Sequence, residues 1–208
     1  MIANLSIIFL SLRSNLNSPI ISSSPIFSPF SIFFQRIKIH HSFNSFFFKN
    51  SLDIEKLQFN TLTFKDSSFS NFLNSMMLIK GNFDLLNEEH NTQLYVPADS
   101  WASTVKITNC CFDNCQTTTE NVEGGAICIH VGYTALTIFK SLFTRCSSTT
   151  IGGAIFSIGH GFNITSSEFS NCESVDSGGA IYSNYFKRPG DGFANCVLNQ
   201  AVIINNIC

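Results

Sequence analysis

Apolar positions in the second half of the chain alternate instead of forming a helical stripe. Val105 and Ile107, Leu136 and Ile138, and Phe162 and Ile164 are apolar-x-apolar pairs. The isoleucine of each pair lies five residues before a phenylalanine. Alternate residues of an extended chain face one side, so this spacing predicts short strands. The phenylalanines open a repeated unit: Phe112-Asp-Asn-Cys115, Phe143-Thr-Arg-Cys146, Phe169-Ser-Asn-Cys172 and Phe193-Ala-Asn-Cys196. Between the units lie Gly124-Gly125-Ala126-Ile127, Gly152-Gly153-Ala154-Ile155 and Gly178-Gly179-Ala180-Ile181. Steps from Phe to Phe are 31, 26 and 24 residues, and those from Gly to Gly are 28 and 26. A fainter copy runs through Leu62, Phe64, Phe69 and Phe72, where Phe72 stands in the cysteine place.

A helical repeat would need a 3.6-residue apolar stripe and would tolerate paired glycines badly. A leucine-rich repeat would show its Leu-x-x-Leu-x-Leu frame at this period, and the frame is missing. The pattern predicts an all-β, right-handed, single-stranded parallel β-helix, a pectin-lyase-like solenoid of about four coils. Its coils would stack about 4.8 Å apart, like residue over like. Phenylalanine would fill the interior, and Gly-Gly would supply a bend where a side chain clashes or φ is positive. Asn114, Asn171 and Asn195, each directly before its cysteine, are expected in left-handed turns, forming a hydrogen-bonded ladder.

Composition divides the chain in two. All eight cysteines lie from Cys110 onward, and of 12 glycines only Gly81 precedes Gly124. The expected organisation is a low-complexity Ser/Phe/Ile/Pro-rich leader over 1–56, poorly ordered, and a β-helix over 57–208. Leu5 to Leu12 has the length of a signal-peptide apolar core, but no Lys or Arg precedes it and no clean small-x-small cleavage site follows. Charged residues make up only 12% of the chain, with a net charge of −2 and 44% hydrophobic residues. That composition excludes a highly charged disordered chain and an electrostatic nucleic-acid binder. No run reaches the roughly 18 apolar residues of a membrane-spanning helix.

Gly-Gly-Ala-Ile alternating with Phe-x-x-Asn-type units resembles the repeats of the chlamydial polymorphic outer membrane proteins and of protist surface β-helix proteins. The resemblance covers Val105 to about Cys196, with a weak extension back to Leu62. Cysteine occupies the family's usual asparagine place in all four units, as in the protist versions. The resemblance implies a surface-exposed, adhesin-like solenoid. The bacterial family also carries a C-terminal barrel, which this chain lacks. It ends at Asn205-Asn206-Ile207-Cys208 without a polar cap, the expectation for a truncated member or a fragment of a longer surface protein.

Cys115, Cys146, Cys172 and Cys196 are expected in one column at coil spacing. Parallel stacked side chains suit a disulfide poorly, because its Cβ atoms need about 3.8 Å and a χ3 near 90°. Free, inward-facing thiols are favoured over disulfides. No catalytic, cofactor or metal-ligating set emerges. Gly159-His160-Gly161 looks like a polygalacturonase motif, but only Asp113, Glu120 and Glu123 precede it, without the paired aspartates of glycoside hydrolysis. A lyase would need a calcium site. Glu168, Glu173 and Asp176 are sparse acids better suited to solvating a turn, beside the candidate bases Arg145, Lys187 and Arg188. His130 and His160 sit at different offsets from their glycine pairs. Asn163-Ile164-Thr165 and Asn4-Leu5-Ser6 are N-glycosylation sequons.

The expected role is a non-catalytic cell-surface or extracellular scaffold binding host or surface glycans or proteins, with end-to-end or edge association. Phe156, Tyr182 and Tyr185 are candidate outward aromatics. A polysaccharide hydrolase or lyase and a non-functional fragment are the alternatives.

Overall fold

A computed structural model describes residues 3–13, 21–22, 30–42, 47–51, 61–73, 76–81, 103–118, 123–130, 134–159, 161–185, 196–204 and 206–207. These residues form a parallel β-solenoid, with no helix among them. The first sheet stacks Ala3–Ile7, Phe30–Gln35, Thr61–Lys65, Ser103–Thr108, Thr134–Phe139, Gly161–Thr165 and Cys196–Asn199. Each of these strands is followed by a strand of the second sheet: Leu10–Arg13, Ile37–Ser42, Ser68–Phe72, Cys111–Asp113, Leu142–Thr144, Glu168–Ser170 and Val202–Ile204. Gln116–Thr117, Ser147–Ser148 and Glu173–Ser174 form a narrow strip. The last wall stacks Ile21–Ser22, Phe47–Ser51, Met77–Gly81, Ile127–His130, Ile155–Gly159 and Ile181–Tyr185.

Register follows the repeat. Val105 pairs with Leu136 and Leu136 with Phe162, while Ile107, Ile138 and Ile164 form the next column. Leu62 and Phe64 continue both columns toward the N-terminus, as the faint copy predicts. The stack then goes on past the expected boundary at residue 57. Ile32 and Phe34 pair with Leu62 and Phe64, and Leu5 and Ile7 pair with Ile32 and Phe34. The described part of 1–56 is therefore built into the sheets. The physical reason is that Ile39 pairs with Phe69 and Ser42 with Phe72, so aliphatic and small residues fill the motif's places.

Phenylalanine fills the interior. The rings of Phe69, Phe112, Phe143 and Phe169 stack with centroids 5.4, 4.5 and 4.7 Å apart, the last two pairs within 6° of parallel. These separations match both the rung spacing and the favourable range for offset rings. All four residues are fully buried, each contributing about 1.5–3 kcal/mol of transfer free energy.

The glycine pair divides its labour. Gly124, Gly152 and Gly178 have φ of 68°, 70° and 70°, the left-handed region that side chains adopt at a cost. A Cβ on any of these would also meet the carbonyl oxygen three residues on, whereas Gly125, Gly153 and Gly179 pass the backbone of other parts of the stack: a Cβ on Gly153 would collide with the carbonyl oxygens of Gly179 and Glu173. Ala126 and Ala154 follow, each accepted into the next rung through the bonds Ala126 N–H to Ala154 O (2.9 Å) and Ala154 N–H to Ala180 O (2.8 Å). Gly152→Ala is expected to cost at least about 1–2 kcal/mol through its dihedral, with a further cost where its Cβ meets the Ile155 carbonyl oxygen. Gly153→Ala should cost more, because backbone must separate. Urea unfolding of the two variants checks the order; equal losses would show that the close approach relaxes freely.

Candidate interaction surface

Two corners flank the second sheet, and left-handed residues turn them on most coils; Ile8 and Phe9, at the first corner of the N-terminal coil, are not among them. Arg36, Asp66, Asn109, Lys140, Ser166 and Gln200 have φ between 49° and 54° at the first corner. His41, Asn71, Asn114, Arg145 and Asn171 have φ between 51° and 62° at the second. None of these residues is β-branched, as the steric restriction requires. The corner amides point up the stack: Asn109 N–H donates to Phe139 O and Asn114 N–H to Thr144 O, both at 2.9 Å. Behind the first corner, buried serines meet the amides left over. Ile37, Cys110 and Ser141 donate their N–H to Oγ of Ser67, Ser141 and Ser167 at 3.1, 3.2 and 3.1 Å.

Corner side chains project outward and join rung to rung. Gln35 and Asn109 donate to the two carboxylate oxygens of Asp66 at 3.1 and 2.9 Å. The Asn109 bond, then the Gln35 bond, holds that carboxyl below its usual range. Along the second corner runs a polar seam of His40, Ser70, Asp113 and Thr144, in register on the outer face of the second sheet and continued by the buried Ser170. His40 Nδ1 lies 2.6 Å from Ser70 Oγ and 3.2 Å from Asn71 Nδ2. Asn114 Nδ2 donates to Asn71 Oδ1 at 2.7 Å, and Gln116 Nε2 donates to Asn114 Oδ1 at 2.6 Å. Arg145 grips Asp113 with Nε at 3.0 Å and Nη2 at 2.8 and 2.6 Å. The guanidinium pKa rises through that hydrogen bond.

The expected asparagine ladder takes a different form. Asn114 and Asn171 do occupy left-handed corners, but Arg145 lies between them, so Asn114 bonds to Asn71 instead. Asn195 lies outside the described residues.

Most of the repeat residues line the interior. Phe112, Phe143 and Phe169, Cys115, Cys146 and Cys172, and Ile127 and Ile155 are buried, with Ile181 half-buried against the same core. The fourth unit departs from this arrangement. Phe193 lies outside the described residues, and Cys196 pairs with Phe162 in the first sheet. Ile203 takes the place above Phe169, and Asn206 follows Ile203 as Cys172 follows Phe169. The letters of the fourth unit end on the first residue of a first-sheet strand instead of following one. Asn206 does with an amide what the cysteines do with thiols. Cys115, Cys146 and Cys172 each direct Sγ at the carbonyl of a phenylalanine one rung down, at 3.7 Å. Asn206 Nδ2 donates to Phe169 O at 3.1 Å, while its Oδ1 accepts from Cys172 N–H at 2.8 Å. The column thiols are free.

Phe156 and Tyr182 lie on the side of the last wall away from the core. Phe156 is 2% exposed, packed with Cys128 and stacked on Tyr182 at 5.6 Å, so it is not presented to solvent. The Tyr185 side chain, His160, Glu120, Lys187 and Arg188 lie outside the description. His130 pairs in register with Ile158. Glu123 faces Cys128, whose Sγ approaches its carboxylate at 4.0 Å, and Glu168, Glu173 and Asp176 are exposed. Among the described residues no cluster of three His, Cys, Asp or Glu side chains could hold a metal, and no helix is long and apolar enough to cross a membrane. The chain matches no protein-family profile, no curated protein and no solved structure.

Buried thiols couple the interior to pH. Burial pushes Cys110 up to about 11. Burial first, then Cys115, raises Cys146 above its usual 9.0. Cys172 is raised first by its hydrogen bond with Cys146 and then by burial. These groups keep their protons in the folded chain while the unfolded chain ionises. Stability is therefore fully present below pH 9 and falls above it, by up to about 1.4 kcal/mol per pH unit for each thiol. Urea midpoints between pH 8 and 10.5 should fall less steeply for Cys146→Ala/Cys172→Ala than for the native sequence. Identical slopes would place the titration elsewhere.

Proposed function

We propose that this chain is a non-catalytic, adhesin-like scaffold of a cell surface or extracellular space, binding glycans or proteins along its side. The observation that supports this reading most directly is the polar seam from His40 to Ser170. It is a row of hydroxyl, amide, imidazole and ion-paired groups repeated at rung spacing and tied laterally by hydrogen bonds. Such a row suits an extended, repetitive ligand that makes many modest contacts. Catalysis asks instead for groups converging on one point, and the carboxylate nearest that role, Asp113, is already held by Arg145. The motif resemblance to chlamydial polymorphic outer membrane proteins and protist surface proteins supports the same assignment, by analogy of fold and repeat.

Ser70→Arg and Thr144→Arg place bulk and charge on the seam without entering the core. Against immobilised acidic and neutral polysaccharides, the native chain is expected to bind and the double variant to lose at least tenfold, with unchanged thermal unfolding. Release of new reducing ends or unsaturated sugars, diminished by Asp113→Asn, would overturn the scaffold reading in favour of a polysaccharide-cleaving enzyme.

A further inference from the structure

We infer that Asn163 is an N-glycosylation acceptor whose glycan the folded solenoid carries on the outer face of its first sheet. The inference rests on the surface or extracellular assignment, since the donor is a lipid-diphosphate-linked oligosaccharide used in a secretory compartment. Asn163-Ile164-Thr165 lies within the strand Gly161–Thr165. Residues two apart in a strand share a face, so the asparagine and the hydroxyl that a sequon requires emerge together. The Ile164 side chain between them is buried in the core. Thr165 Oγ donates to Asn163 Oδ1 at 3.0 Å. Asn163 is exposed, and among the described residues its Nδ2 meets no acceptor. Asn109 provides the contrast: it is exposed too, but its Nδ2 is committed to Asp66.

The register names the neighbours of the amide on that face. Asn163 lies between Thr137 and Val197, and Phe139, 38% exposed, pairs with Thr165. On the other side of the amide Gly161 pairs with Ala135, so that part of the face carries nothing larger than a methyl group. In the transfer, Asn163 Nδ2 loses a proton and bonds to the anomeric carbon of the first sugar. The bond from that carbon to the diphosphate oxygen breaks, and the lipid diphosphate leaves with the electron pair. The asparagine becomes a glycosylamide, with no change of oxidation state.

The full chain behind a cleavable secretion signal, expressed in a eukaryotic secretory cell, tests the site independently of its native address. The expected result is a glycan on the Asn163 peptide by mass spectrometry, with a mobility shift removed by peptide-N-glycosidase. Asn163→Gln and Thr165→Ala should abolish occupancy, and Thr165→Ser should retain it in part. Asn4→Gln separates any contribution of the other sequon. The glycosylated chain should unfold at the same temperature as Asn163→Gln. A secreted chain with Asn163 unmodified, or one destabilised by its glycan, overturns the inference. Native cells that retain the chain in the cytosol would overturn the surface reading while leaving acceptor competence standing.

Discussion

Everything in this molecule depends on the parallel rung-to-rung main-chain ladder, which holds only if each coil turns its corners at the same level as its neighbours. A corner that slipped by one residue would turn inward side chains outward along the following strand. The left-handed residues enforce that level. Asp66, Asn109, Lys140 and Ser166 each donate their own N–H to a carbonyl of the coil above. The glycine pairs act likewise at the opposite corner, where both residues meet backbone too closely for a side chain and the first also needs a positive φ. Interior packing then follows from level: the phenylalanine rings can lie within 6° of parallel from Phe112 to Phe169 because their backbones are translated copies.

The same constraint explains which parts of the fold could be read in advance. Columns kept in one residue type announced themselves, as with Phe112, Phe143 and Phe169 or the three glycine pairs. Columns kept only in size and polarity did not. Ile39-His40-His41-Ser42 performs the task of Phe69-Ser70-Asn71-Phe72 in the same register. Its strand alternation is hidden among Phe, Ile and Ser residues that fill the whole region. The unit at Phe193-Ala194-Asn195-Cys196 presents the opposite case, since it carries the letters of the repeat without its place in the stack. Letters report a column only while they keep their place in the coil: the earlier Phe-x-x-Cys units follow a strand of the first sheet, whereas this one ends on the first residue of such a strand, Cys196. Handing the column to Ile203 and Asn206 preserves the physics without the motif.

The polar seam was less legible than the core because it is defined by backbone geometry and not by chemistry. Its corner column runs His41, Asn71, Asn114, Arg145 and Asn171. These residues share only an unbranched β-carbon and a polar end. An asparagine pattern catches some of them and misses the histidine and the arginine. Outward aromatics could be placed by alternation, and Phe156 and Tyr182 do stand away from the core. Their exposure could not be placed that way, because Phe156 is covered by its column neighbours Cys128 and Tyr182 together with Ile151 and Ile158.

The substitution of asparagine for cysteine in one column shows how interior and surface are kept apart. Asn206 satisfies both a carbonyl and an amide of the neighbouring rung, those of Phe169 and Cys172, with one side chain. A thiol is a weaker donor, yet it packs as a small apolar body beneath the phenylalanine stack. Along Cys115, Cys146 and Cys172 the fold therefore trades directional bonding for packing that tolerates many stacked copies, and no coil depends on a single strong contact. Outward positions are correspondingly free to vary, since the ladder is held by backbone and the core by apolar contact. A solenoid built this way can change what its side wall recognises without changing how it folds, the property an interaction surface needs and a single convergent active site does not.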